Sequence, residues 1–284
     1  MRAWLLALVV ILAGCPGLGS QPTTVTPAPV PADRTFPPGI GPSGVVAPAS
    51  LAQAHDRAVE NASYTLVSNR TMTTDKGELR SLLHVRVRLA ADRSFLVTAR
   101  SAGPSGPVFM GRPPVRGTYW SNGSTYVRKL ARAHDTVANA FSPPDSFVGS
   151  WRYWRSTVAF GGGGSFSLET VGSLFDSIPT SLVGNRSLNE TTLYLFEGDR
   201  ALDTDFAKAG AGPVSNVSLS ATVDEAGVVR AFDLSYERRV DGELLRVRWQ
   251  LRYENVGSTR VERPPWVDRT LAQESAVTVT STDP

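Results

Sequence analysis

Between positions 83 and 89 the apolar side chains fall on every second residue: Leu83, Val85, Val87 and Leu89, with His84, Arg86 and Arg88 between them. The same period recurs in "VSLSATV", where Val217, Leu219, Ala221 and Val223 alternate with serine and threonine. It returns in "AFDLSY" (Phe232, Leu234, Tyr236) and in "LRVRWQLRY". There Leu245, Val247, Trp249, Leu251 and Tyr253 alternate with Arg246, Arg248, Gln250 and Arg252. Successive side chains of a strand point to opposite faces, so this pattern predicts antiparallel strands with one face buried and one wet. "SNGS" at 121–124 places Asn-Gly between "TYW" and "TYV", a strong hairpin signal. "DEAG" (224–227) and "VDGE" (240–243) separate the last three strands, so residues 214–256 read as a three-stranded meander.

Other stretches change period. In "ASLAQAHDRAVENAS" (49–63), Leu51, Ala54, Ala58 and Ala62 recur at helical spacing and Ser50 is placed to cap the helix. Residues 141–184 are aromatic and rich in glycine and proline, with short helices expected at 167–177 and around Ser181. "GGGG" (161–164) lacks the Gly-Lys-Ser/Thr that cradles phosphate and reads as a joint beside this insert, a candidate hinge. The predicted order is helix, strands, helical insert, strands.

The first residues follow a different logic. Arg2 precedes a ten-residue apolar run, "AWLLALVVIL", and then small residues. Ten helical residues span about 15 Å, half of a hydrocarbon core of about 30 Å, so the run suits a secretory signal better than a permanent span. "LAGC", ending at Cys15, resembles the lipobox of prokaryotic lipoproteins. The resemblance implies cleavage before Cys15 and a diacylglyceryl group on its sulfur. Nine of the twenty prolines lie between Pro16 and Pro48, where no apolar period exists, so this stretch reads as an extended stalk. The expected organisation is a signal peptide over 1–14, lipidated cysteine and stalk over 15–49, a globular domain over 50–268 and a C-terminal tail over 269–284.

Composition narrows the function. All but three of the 29 basic residues are arginine, yet 26 acidic residues leave a formal charge of only +3, without the basic clusters of a nucleic-acid binder. A single cysteine excludes an intramolecular disulfide, so the fold rests on packing. Six of the eight asparagines sit in N-x-[ST]: Asn61, Asn69, Asn122, Asn185, Asn189 and Asn216. They are candidate glycosylation sites of an extracytoplasmic protein.

Tests for chemistry find no catalytic or metal constellation. No G-x-S-x-G elbow occurs, and His134-Asp135 are merely adjacent. His55, His84 and His134 lack metal-ligand spacing, and "DRALDTD" (Asp199, Asp203, Asp205) is not a calcium loop. No enzyme activity, cofactor or metal is expected. "WRYW" (151–154) reads as packing for the insert or as a groove lining. "ERPPW" reads as a polyproline turn after the last strand with Trp266 docked.

A helix before a curved antiparallel sheet, with a helical insert over one face, resembles the lipoprotein-carrier fold of LolA/LolB-like proteins and mycobacterial LppX/LprG-type lipoproteins. "TYWSNGSTYVRK", "LYLFEGDRA" and "VERPPWV" resemble segments of haloarchaeal surface lipoproteins that carry such a domain. The resemblance implies an α+β half-open barrel whose helices cover the concave face, with a lipid or other hydrophobic ligand between sheet and helices. It brings no catalytic residue. The expected groove or core residues are Phe95, Val97, Trp151, Trp154, Val217, Leu219, Leu245, Val247 and Trp249. The partners expected are the membrane, through lipid on Cys15, and a hydrophobic ligand, with no nucleic acid. A surface-interaction or envelope-maintenance protein with a filled core, and an extracytoplasmic hydrolase, are the alternatives.

Overall fold

The alternating segments become one antiparallel sheet of eleven strands. The computed structural model describes residues 36–108, 110–142, 149–157, 168–188, 190–203 and 213–280. The described chain opens with a small hairpin, β1 (Ile40–Gly41) and β2 (Gly44–Val45), and then α1 (Pro48–Glu60). A first meander follows: β3 (Tyr64–Thr74), β4 (Leu79–Leu89), β5 (Phe95–Ala102), β6 (Val115–Ser121), β7 (Tyr126–Ala131) and β8 (Thr136–Phe141). The insert carries α2 (Gly149–Thr157) and α3 (Leu168–Ser177). The second meander is β9 (Ser181–Leu188), β10 (Thr191–Gly198), β11 (Val214–Asp224), β12 (Val229–Val240) and β13 (Glu243–Glu254), and α4 (Pro265–Thr280) ends the chain.

Across the sheet the order is β8-β7-β6-β5-β4-β3-β13-β12-β11-β10-β9. The two meanders therefore meet in the middle, where β3 pairs with β13. Strands β8 and β9 are consecutive in the chain yet form opposite edges. Their connection has to cross the full width of the sheet, which is why the insert lies over a face. The edges do not pair with each other, so the curved sheet stays open, with α1, α2 and α3 over its concave side. Leu51 and Ala52 of α1, Trp154 of α2 and Val171, Leu174 and Phe175 of α3 join the apolar face of the strands in one core.

Every alternating residue named above lands as its period requires, with Val85, Val87, Leu219, Leu234, Trp249 and Leu251 in that core. The region around the β6–β7 hairpin departs from the one-face rule. Tyr119 and Trp120 are neighbours and both buried, as are Tyr126 and Val127. Around these residues both faces of the sheet are covered, because α4 packs Val267, Trp266 and Leu271 against Leu96, Trp120, Val127 and Ala140 on the outer face.

Several expectations need correction. Residues 36–49 belong to the fold and not to a stalk: Ile40 is buried, Phe36 packs on Tyr194 with ring centres 5.9 Å apart, and Leu182 donates its N–H to the Ser43 carbonyl at 3.2 Å. Gly44 permits that approach, since a Cβ there would meet the Thr180 carbonyl at 1.9 Å. The helix starts at Pro48, whose ring suits its first turn; Ser50 lies inside it and makes no cap. Ser181 opens a strand, and the segment after Pro264 is helical through Thr280 instead of a tail. In α4 the fully buried side chain is Val267, with Trp266 half-buried beside it. Glu274 accepts the N–H of Ala140 at 2.7 Å, tying the helix to the β8 edge.

Candidate functional site

All nine expected groove residues share the concave face. They fall into two groups. On β5 and α2, Phe95 and Val97 are fully buried, and Phe95 lies 5.3 Å from the Trp151 ring and 6.0 Å from that of Trp154. Tyr119 and Tyr126 extend this aromatic floor, stacked at 6.2 Å, and Tyr119 meets Trp154 edge-on at 6.1 Å. Burial pushes the pKa of the Tyr119 hydroxyl up to about 12 and raises that of Tyr126 well above its ordinary value. On β11 and β13, Val217, Leu219, Leu245, Val247 and Trp249 are buried beside Phe232, which meets Trp249 edge-on at 5.0 Å. Trp249 donates its indole N–H to Ser68 Oγ at 3.0 Å.

Arg70 brings a cation to this apolar face, and the register puts Arg128, opposite Tyr119, and Arg238, opposite Leu245, on the same side. The Arg70 guanidinium lies 5.5 Å above the Trp249 ring, and its Nη2 donates to the Tyr236 hydroxyl at 3.3 Å. Arginine suits such a place because its flat, weakly hydrated guanidinium stacks on aromatic faces.

The histidines do not converge. His55 is buried on α1, where Nδ1 accepts the Val229 N–H at 3.2 Å and the ring meets Tyr253 at 5.3 Å. Burial lowers its pKa to about 4, against a smaller opposing pull from Asp56 and Asp224. His134 is exposed, and its neighbour Asp135 is bound by Arg132 at 2.8 Å. Among the described residues no group of three His, Cys, Asp or Glu side chains could hold a metal.

The polar side of the sheet holds a feature the strand pattern did not announce. A groove of about 660 Å³ crosses β13, β3, β4, β5 and β6, with Gln250, Arg252, Asn69, His84, Arg100 and Arg116 along it. His84 is half-buried there; burial, then Arg86 and Arg100, hold its pKa below the ordinary histidine value. The signal was present in the sequence as the arginines between the apolar positions, but alternation alone says only that they face water.

The model of a family of unknown function, DUF7537, matches residues 1–270. The chain belongs to DUF7537. No curated protein matches the sequence. Among solved structures, the DUF7537 chain is similar to LprF from Mycobacterium bovis, at 10% identity and a TM-score of 0.33 over 77% of this chain and 96% of that one. It is similar to the MucA/MucB complex structure from Pseudomonas aeruginosa, at 12% identity and 0.31 over 76% and 59%. It is also similar to a putative outer membrane lipoprotein-sorting protein domain from Vibrio parahaemolyticus, at 9% identity and 0.24 over 77% and 93%.

The sequons of this DUF7537 chain are scattered. Asn61 is exposed at the end of α1, Asn185 is exposed on the edge strand β9, and Asn69 lies half-buried in the outer groove. Asn122 Oδ1 holds its own hairpin by accepting the N–H groups of Ser124 and Thr125 at 3.2 and 2.9 Å. Asn216 commits its Nδ2 to Glu237 at 2.6 Å. Cys15, the expected signal segment, Asn189 and the glycine run 161–164 lie outside the described residues. Among the described residues no helix is long and apolar enough to cross a membrane.

Proposed function

We propose that the chain is a surface lipoprotein, anchored outside the cell membrane by lipid on Cys15, that holds a lipid or similar hydrophobic molecule against the concave face of its open sheet. The observation that carries this reading is how α2 meets that face: two stacked indoles resting on Phe95. Aromatic contact of this kind depends on area more than on direction, so an acyl chain can replace it as the helix lifts. Each buried CH₂ contributes about 0.8 kcal/mol, so a chain of about twelve carbons gains about 10 kcal/mol before ordering costs. Arg70, on the same face, offers a cation to a polar end group. Asn61, Asn122 and Asn185 are the sequons placed to carry glycans. The role is binding without catalysis and without nucleic acid. Two acyl chains on Cys15 would hold the membrane stably where one would not.

The test is to purify the full chain from membranes in mild detergent and weigh it by native mass spectrometry. The expected result is a bound hydrophobic molecule that organic extraction removes, and a Cys15→Ser variant that leaves the membrane fraction. A ligand-free mass would overturn the carrier reading. It would favour a second reading, a surface-interaction protein with a filled core, which the complete burial of Phe95 and Val97 supports.

A further inference from the structure

Where the outer face carries arginines on β13, the next strand answers them. Arg246 Nε meets Glu237 on β12 at 2.9 Å, and Arg248 Nη2 meets Asp233 at 2.5 Å. Strands β4–β7 are built differently: none of the four contains an acidic residue. Arg86 and Arg252 share Glu254, at 3.7 and 3.4 Å. Arg100 and Arg116 have no ion-pair partner among the described residues, and the register sets them directly opposite one another. Like charges in that relation oppose pairing of the two strands.

The same register continues the line. His84 lies opposite Arg100, Asn69 opposite His84 and Gln250 opposite Asn69. One row across five strands thus brings a carboxamide, a carboxamide, an imidazole and two guanidiniums to the groove of about 660 Å³. A guanidinium presents forked donors that match an oxyanion, and an anion between two of them turns mutual repulsion into charge-assisted hydrogen bonds. The groove is several times larger than a bare phosphate and includes neutral polar groups away from the arginines.

We infer that this outer groove binds a phosphate-type oxyanion carried on a polar ligand, gripped by Arg100 and Arg116, with Asn69 and Gln250 facing the ligand's uncharged part. The site lies on the opposite side of the sheet from the hydrophobic face, so either reading can fail without the other. It requires Asn69 to be free of glycan, because a sugar there would fill the groove.

The experiment uses the full chain with Cys15→Ser and follows the His84 ring by NMR. Inorganic phosphate, glycerol 1-phosphate and phosphatidylcholine vesicles with or without phosphatidylglycerol are the probes. Saturable shifts of the His84 signals are expected with at least one anionic probe, weakened by about tenfold or more in Arg100→Ala/Arg116→Ala and unchanged in Arg246→Ala/Arg248→Ala. Response to the soluble phosphates alone assigns a soluble ligand, and response to phosphatidylglycerol vesicles assigns a lipid headgroup. No response to any probe, equal affinity in the Arg100→Ala/Arg116→Ala variant, or a glycan on Asn69 overturns the site. Arg100→Ala alone removes repulsion, so without ligand it should melt no lower than the parent; this keeps a folded variant available.

Discussion

Trp151 and Trp154, neighbours on one face of α2, stack with ring centres 5.4 Å apart and planes 10° from parallel. The inner ring, Trp154, is buried and the outer one, Trp151, is half-buried. The pair is a graded contact, with one ring in the core and one at its border. Trp154→Ala should therefore cost about 3–5 kcal/mol in urea unfolding, and Trp151→Ala clearly less. If Trp151 is part of a movable cover, its alanine variant should also release bound lipid faster in a vesicle-transfer assay. Equal stability losses for the two variants would show that α2 is simply core.

His55 makes stability depend on pH. Its folded pKa of about 4 lies below the ordinary histidine value of 6.5, so the unfolded chain takes up the proton first. The neutral ring's contribution is complete above about pH 6.5 and is lost as pH falls toward 4, by about 3 kcal/mol in all. Urea midpoints measured from pH 7 to pH 4 should fall more steeply in the parent chain than in His55→Leu. Parallel curves would remove His55 as the cause.

Asp224 is 2% exposed and satisfied from three sides. Oδ1 accepts the N–H groups of Ala226 and Val228 at 3.0 and 2.9 Å, and Oδ2 meets Arg230 Nε at 2.6 Å. Asp224→Ala leaves these donors without an acceptor and should cost about 3 kcal/mol or more. Asp224→Asn keeps one oxygen for the turn and should cost less. Thermal melts of the two variants compare them directly.

Gly44 lies where a side chain has no room, at a φ of 150° and against the Thr180 carbonyl. Gly44→Ala should destabilise by about 1–3 kcal/mol and free the β1–β2 hairpin from β9. Limited proteolysis would then cut within residues 36–47 in the variant and not in the parent.

Much of this architecture was legible because alternation is a strong signal. Leu245, Val247, Trp249, Leu251 and Tyr253 could take only one face, and the short turns at 225–228 and 241–242 fixed how β11, β12 and β13 follow one another. What escaped the sequence was contact between elements. Phe36 and Ile40 sit among prolines, and nothing local says that they pack on Tyr194 and α1. Val267 and Leu271 form a short apolar patch whose partner, Trp120, is some 150 residues earlier. The outer groove depends on register: Arg100 and Arg116 become opposite only when β5 and β6 are aligned residue by residue. Burial of the expected groove residues followed from their period, whereas the choice between filled core and ligand site depends on how firmly α2 is held.

The seam between β3 and β13 joins residues as far apart as Ser68 and Trp249, 181 positions along the chain. Each meander can zip by local hairpins, but the seam is unavailable until the last strand has been made. A chain growing from its N-terminus must carry β3 as an open edge through the synthesis of the entire insert and second meander. Arg70 interrupts the apolar face of that waiting strand, and Asn69 and Thr71 keep its other face polar, which disfavours edge-to-edge association. Chains stalled before β13 should be cut by protease along β3, and full-length chains should resist.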